Sequence, residues 1–184
     1  MTAPPDTDIA SDACLVSAAR AGDRDAFGRL YDRYARMVHG ILLARVPFGE
    51  VDDLVQDVFL LALGRLRALR DIASFGGWLA AIARNRAHDY HRRSRVVVES
   101  AEDLSGGEVE GSGVNQALDG EAAAILAMIQ GLPETYRETL ILRLVEGMTG
   151  PEIAARTGLT PGSVRVNLHR GMQRLRQELA DRQK

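Results

Sequence analysis

An acidic, glycine-rich segment divides this chain into two parts, and that division limits what the chain can fold into. Residues 96–125 contain seven acidic residues and no basic one, and four glycines lie between residues 106 and 113. Like charges and glycines keep a backbone open and solvated. We therefore interpret residues 96–119 as a flexible acidic linker between two small domains, residues 1–95 and 120–184. A surface loop within a single domain is the alternative.

Both domains are predicted to be helical, because their apolar residues recur at the spacing of an amphipathic helix. The first domain is expected to contain helices over about residues 25–45, 50–69 and 76–95. No stretch alternates convincingly between apolar and polar residues, as a half-buried strand would. The predicted fold class is all-α, with two small helical domains joined by the linker.

The second domain has the residue spacing of a helix-turn-helix motif. Ala154 is small enough for two helices to cross, Gly158 can take the positive φ of a tight turn, and Val164 would pack the second helix on the core. Thr149 and Glu152 match a capping box that would begin the first helix. The second helix of such a motif commonly lies in the DNA major groove. A helical hairpin with a solvated basic face is the alternative.

Two helical faces of the first domain also suggest binding. Residues 82–95 contain five arginines and a single acid, with asparagine, histidine and tyrosine between them, which suits a DNA backbone and unstacked bases. Residues 52–59 carry three carboxylates beside apolar residues and suit a basic partner helix. A solvated charged face is the alternative for each. Trp78 is expected in the core rather than as a platform for a base.

Other classes of protein receive little support from the sequence. The single cysteine, Cys14, cannot form an internal disulfide, no apolar run reaches the length of a membrane helix, and the first residues are acidic, unlike a signal peptide. We therefore expect a soluble, cytoplasmic chain. His88, Asp89 and His91 have a spacing that could bind a metal, but neighbouring arginines oppose a divalent cation, so we expect no metal, cofactor or catalytic site.

Taken together, these segments resemble the extracytoplasmic-function (ECF) group of bacterial sigma-70 family RNA polymerase sigma factors. The resemblance covers about residues 12–95 and 120–180. Five segments carry it in the order found in the family, namely residues 15–34, 53–59, 78–85, 132–138 and 152–170. It implies a subunit that binds the polymerase core, recognises the −10 and −35 promoter elements, and aids DNA melting.

The resemblance also implies roles for particular residues. The residues implied to dock on the clamp helices of the polymerase core are Asp53, Leu54, Gln56, Asp57 and Phe59. Those implied to hold the single-stranded −10 element are Trp78, Arg84, Asn85, Arg86, His88, Arg92 and Arg93. Those implied to face the double-stranded −35 element are Arg165, Val166, His169, Arg170 and Arg174.

Further partners implied by the family are the polymerase flap and an anti-sigma factor, without membrane insertion. A stand-alone helix-turn-helix regulator is the main alternative, and it would explain the second domain but leave the acidic helix and the arginines of the first domain unexplained. An enzyme with a histidine–aspartate metal site and a helical scaffold are further alternatives.

Overall fold

The computed structural model describes residues 5–102 and 120–182. All regular structure in these residues is helical, which confirms that the chain is all-α. The eight α-helices of this part of the chain are α1 (Pro5–Arg20), α2 (Arg24–Leu43), α3 (Val51–Arg65), α4 (Phe75–Glu102), α5 (Gly120–Gly131), α6 (Glu134–Leu144), α7 (Gly150–Thr157) and α8 (Pro161–Arg182). No helix among the described residues combines the length and apolarity needed to cross a bilayer.

We call α1–α4 the first half of the structure and α5–α8 the second half. Helix α2 forms the centre of the first half. Its residues Leu30, Met37, Val38 and Ile41 are fully buried, and α1, α3 and α4 pack around it. Asp23 begins the helix, because its side chain accepts a hydrogen bond from the amide of Ala26 at 3.0 Å. This helix agrees with the helix expected over residues 25–45.

Two features of the first half differ from the expectations. Helix α1 was not predicted, because its small residues give a weak apolar pattern, although Leu15 and Val16 are buried. Helix α4 continues to Glu102, so it enters the segment interpreted as the linker. Residues 103–119, the remainder of that segment, lie outside the described residues.

The second half contains the predicted helix-turn-helix. Thr149 and Glu152 form the capping box at the start of α7, with the amide of Thr149 donating to Glu152 Oε2 at 2.7 Å. Gly158 ends α7 with a φ of +76°, and Val164, in the first turn of α8, is buried. All three features confirm the sequence-based prediction, since each depends on residues close together in the chain.

The two halves are in direct contact. Helix α2 packs on α6, and the start of α4 lies against the end of α7. Gly40 and Gly76 allow this approach: a Cβ added to Gly40 would lie 2.7 Å from Cδ2 of Leu142, and one added to Gly76 would lie 2.6 Å from the carbonyl oxygen of Arg156. The second contact is with backbone, which cannot move aside as a side chain can.

The contact at Gly76 predicts a specific loss of stability. Gly76→Ala forces α4 away from α7, and overpacking of this kind costs about 1–3 kcal/mol. The matched control is Gly64→Ala in α3, where nothing lies within 4 Å of the added methyl group. Urea unfolding should give a lower midpoint for Gly76→Ala than for the wild type, and small-angle scattering should give a larger radius of gyration. If both alanine variants unfold alike, the close approach does not hold the halves together.

Candidate functional site

The arginine-rich face of α4 is the first part of the candidate site. Leu79, Ala80, Ala83 and Ala87 are buried on one side of α4, which turns its polar residues toward the opposite side. Four of the predicted strand-binding residues are exposed there, namely Asn85, His88, Arg92 and Arg93. Trp78 is half-buried beside Phe75, with the ring centroids 5.9 Å apart. Trp78 therefore packs against the core and is also partly accessible to solvent.

Arg84 is held by a carboxylate of the second half. Its guanidinium donates to Glu138 from two nitrogens, over 2.7 and 3.0 Å, and Arg45 donates to the same carboxylate over 2.7 Å. The side chains of Arg45 and Glu138 are only 8% and 6% exposed. We call Arg45, Arg84 and Glu138 the arginine–glutamate cluster.

The charge state of Glu138 follows from its surroundings. Burial by itself would raise the pKa of this carboxyl group, but the hydrogen bonds and charges of Arg84 and Arg45 outweigh burial and lower the pKa. The carboxylate is therefore ionised at neutral pH. Glu138 lies in one of the segments that carry the family resemblance, but the sequence assigned no role to Glu138 or Arg45, because an acid and a base on separate helices give no signal of their contact.

Helix α3 carries the residues predicted to dock on a partner. Asp53 and Gln56 are exposed, whereas Asp57 is half-buried and accepts a hydrogen bond from Arg86 of α4. Leu54 and Phe59 are 7% and 4% exposed, so they pack inside the first half and do not form part of its surface. Their helical positions point them inward beside Val58.

Sequence reasoning did not predict the exposure of three leucines of α3. Leu60, Leu61 and Leu63 are exposed, Leu60 to 68%. Leu60 and Leu61 line a surface groove of about 460 Å³ between α3 and α4, together with Asp57, Asn85 and Arg86. Exposed apolar residues beside carboxylates on one helix are typical of a protein-binding surface. The sequence of α3 contains more apolar residues than one buried face of a helix can hold, and this excess could have indicated the exposed leucines.

The basic face of α8 forms the other part of the candidate site. Thr160 begins this helix by accepting a hydrogen bond from the amide of Ser163 at 3.1 Å. The five residues predicted to face duplex DNA all lie exposed along α8, namely Arg165, Val166, His169, Arg170 and Arg174. The Arg174 guanidinium lies over the ring of Tyr136, 5.7 Å from its centroid. The helix presents side chains that can bind base edges and phosphates.

The histidines do not form part of a metal centre in the described part of the chain. Within it, no group of three or more His, Cys, Asp or Glu side chains is arranged to hold a metal ion. His91 instead donates a hydrogen bond to the carbonyl oxygen of Arg45 at 2.8 Å. This contact fixes α4 against the end of α2.

Comparison with protein families matches two parts of the chain. Residues 30–96 match Sigma-70 region 2, which includes most of α2, all of α3 and most of α4. Residues 122–175 match Sigma-70, region 4, which includes the helix-turn-helix. Both parts of the candidate site therefore lie within matched residues.

Whole-chain comparison finds similar proteins of known name. The ECF RNA polymerase sigma factor BldN of Streptomyces coelicolor is 35% identical over 184 residues, which cover 96% of this chain and 69% of BldN. The ECF RNA polymerase sigma-E factor of Escherichia coli K12 is 34% identical, with 89% of this chain and 91% of that protein covered. RNA polymerase sigma factor CarQ of Myxococcus xanthus is 32% identical, with 88% and 94% covered.

Two solved structures share the arrangement of helices. CnrH, solved in complex with the cytosolic domain of CnrY, has a TM-score of 0.63 and 26% identity, covering 93% of this chain and 98% of CnrH. The sigma factor RpoE of Bartonella quintana, solved in complex with the anti-sigma factor NepR, has a TM-score of 0.57 and 19% identity, covering 84% and 96%. The second likeness concerns the fold alone.

A histidine between the two halves predicts a pH-dependent stability. His39 of α2 donates to Glu146 at 2.6 Å, and this hydrogen bond raises the pKa of His39. A group whose pKa is raised by folding stabilises the fold fully below its unfolded value of about 6.5 and loses that contribution as the pH rises through the folded value.

We therefore expect the stability difference between the wild type and His39→Gln to be largest below about pH 6.5. It should shrink as the pH is raised through the higher pKa of the folded chain, measured by urea unfolding across that interval. Replacing the exposed His88 by glutamine is the control. A difference that stays constant with pH would contradict the role of the His39–Glu146 contact.

Proposed function

This chain belongs to the ECF group of the sigma-70 family and directs transcription initiation by RNA polymerase, and we propose that it does so by binding promoter DNA at two places. Members of this family are not enzymes. The observation that carries the proposal is the exposure of a basic or polar helical face in each half, on α4 and on α8.

We assign the duplex of the −35 element to α8. Its exposed face contains arginine, which pairs with guanine edges and phosphates, and histidine, which can donate to either. Val166 adds an apolar contact of the kind that thymine methyl groups accept. The support for this assignment is the geometry of the helix-turn-helix, in which the second helix enters the major groove by its first turns.

We assign the single-stranded −10 element to α4 and the short connector before it. Arginines on α4 suit phosphates, while Asn85 and His88 offer hydrogen bonds to unstacked bases. Trp78 lies at the start of this face. Arg86, also on α4, lies at the edge of the face that is next to α3. Binding to separated bases would favour the melted state of the promoter without any covalent step.

We assign the docking surface for the polymerase core to α3. Asp53 and Gln56 suit the basic clamp helices, and the exposed Leu60, Leu61 and Leu63 add apolar area next to them. Leu54 and Phe59 contribute from the core, where their packing fixes the orientation of α3.

The polymerase flap is the proposed partner of the second half. Residues 96–119 are the proposed link between the two domains.

An anti-sigma factor is a further proposed partner. CnrH, which resembles this chain in fold and at 26% identity, was solved with another chain bound to it. A stand-alone regulator, the main alternative from the sequence, would account for the helix-turn-helix but not for the match of residues 30–96 to Sigma-70 region 2. It would bind a promoter tightly without polymerase, whereas a sigma factor requires the core, so run-off transcription with and without reconstituted core separates the two.

Arg165 provides a test of base recognition. Arg165→Ala should reduce discrimination between −35 variants by about 1–3 kcal/mol if the guanidinium binds a base edge through two hydrogen bonds. The measurement is run-off transcription from promoters that differ at single −35 positions, with Arg176→Ala as the exposed control on the same helix. An equal loss on every promoter would assign Arg165 to a phosphate and contradict base recognition.

Asp53 provides a test of docking. Asp53→Lys should weaken binding to core polymerase by about tenfold, equivalent to about 1.4 kcal/mol, because a rim charge is reversed against a basic partner. Titration of labelled protein with core measures this, and Asp32→Lys on the exposed side of α2 is the control. Equal affinity of the two variants would remove the docking role from α3.

A further inference from the structure

The arginine–glutamate cluster joins basic groups of the first half to an acid of the second. Arg84 lies on α4, Arg45 follows the end of α2, and Glu138 lies on α6. Three hydrogen bonds connect the two guanidinium groups to the one carboxylate. Arg45 also donates to Glu134 of α6 at 3.1 Å. Among the described residues, the carboxylates bonded to these arginines thus all come from α6.

Two guanidinium groups around one oxyanion are the arrangement that proteins use for phosphate. Arginine binds carboxylate and phosphate with the same planar pair of donors, and Arg84 already uses that pair on Glu138. The carboxylate of Glu138 therefore occupies a position that suits a phosphate oxygen. Without α6, the first half would present two arginines and no bonded acid at this place.

The position of the cluster relates it to the nucleic-acid face. His91 of α4 donates to the carbonyl oxygen of Arg45, so the end of α2 and the exposed turns of α4 are adjacent. Arg84 lies one turn before His88 on the same helix, and Arg92 lies one turn after it. Arg84 thus continues the basic face of α4 toward the second half, and Arg45 lies beside it, with its side chain 8% exposed while it is bonded to Glu138.

We propose that Arg45 and Arg84 together form a binding site for a backbone phosphate of single-stranded promoter DNA, and that Glu138 occupies this site whenever the two halves are in contact. The proposal rests on the proposed function and adds Arg45 to the nucleic-acid interface. It follows that DNA cannot bind at this site while Arg84 of α4 is bonded to Glu138 of α6. The remaining contacts between the halves, such as Arg156 to the carbonyl oxygen of Arg33, do not involve the site.

The first experiment measures binding of an oligothymidylate, a probe with phosphates but little sequence character, to the full chain. Glu138→Gln removes the competing charge and should tighten binding by about tenfold, with a salt dependence steeper by about 0.7, the value for one additional phosphate that the protein neutralises. Adding Arg45→Ala to that variant should reduce the slope by about 0.7, and Arg45→Lys should restore part of the affinity.

Glu178→Gln is the matched control, because it makes the same chemical change at an exposed position of α8. It should bind the oligothymidylate with little change from the wild type. The proposal is overturned if Glu138→Gln binds no more tightly than Glu178→Gln. It is also overturned if Arg45→Ala changes neither the affinity nor the salt slope of the Glu138→Gln protein.

A second experiment keeps the native carboxylate, so it does not depend on the folding of Glu138→Gln. Cys14 is exposed and is the only cysteine, so a dye on it and another on Glu178→Cys report the distance between the halves by energy transfer. Saturating oligothymidylate should increase that distance, and the Arg45→Ala, Arg84→Ala double variant should not respond. An unchanged distance in the protein with native arginines would overturn the proposal.

Run-off transcription with core polymerase separates this inference from the proposed function. If the wild-type chain directs promoter-dependent transcription but both DNA-binding experiments give negative results, only the proposed phosphate site is refuted. Wild-type chain that fails to direct transcription would refute the proposed function itself.

Discussion

The arginine–glutamate cluster is the interaction on which the relation between the two halves depends. Removing three charged groups from water is costly, and the cost is offset only while both guanidinium groups remain on the Glu138 carboxylate. A shift of α6 along α2 would leave a buried charge without its partner. The close backbone approach at Gly76 and the contact between His39 and Glu146 are compatible with this one arrangement.

The two basic faces, on α8 and on α4, differ in how accessible their side chains are to DNA. The face of α8 is exposed from Arg165 to Arg174, so the proposed −35 contacts need no rearrangement of the chain. The face of α4 is exposed at His88, Arg92 and Arg93, but Arg84 is bonded to Glu138 and Arg86 to Asp57. Release of Arg84 therefore requires the halves to separate, whereas the pair of Arg86 and Asp57 lies within the first half. The proposed polymerase binding at α3 and the proposed DNA binding at α4 can both favour that separation.

Sequence reasoning succeeded where the determining residues are neighbours in the chain. The capping box of Thr149 and Glu152, the positive φ of Gly158 and the burial of Val164 each follow from a few adjacent residues. The resemblance placed Leu54 and Phe59 among the docking residues, and both are buried because their helical positions turn them toward the core. The contact between Glu138 and Arg45 could not be predicted from the sequence, because a charged residue on an amphipathic helix looks solvated until another helix covers it.

If the proposed function is right, both helical faces bind one promoter while the chain is bound to polymerase. Photo-crosslinkers placed at position 92 on α4 and position 169 on α8 can detect this in the holoenzyme on promoter DNA. We expect crosslinks from position 92 to the single strand at −10 and from position 169 to the duplex at −35, both dependent on the core. Crosslinks from position 169 that form equally without polymerase, with none from position 92, would contradict it.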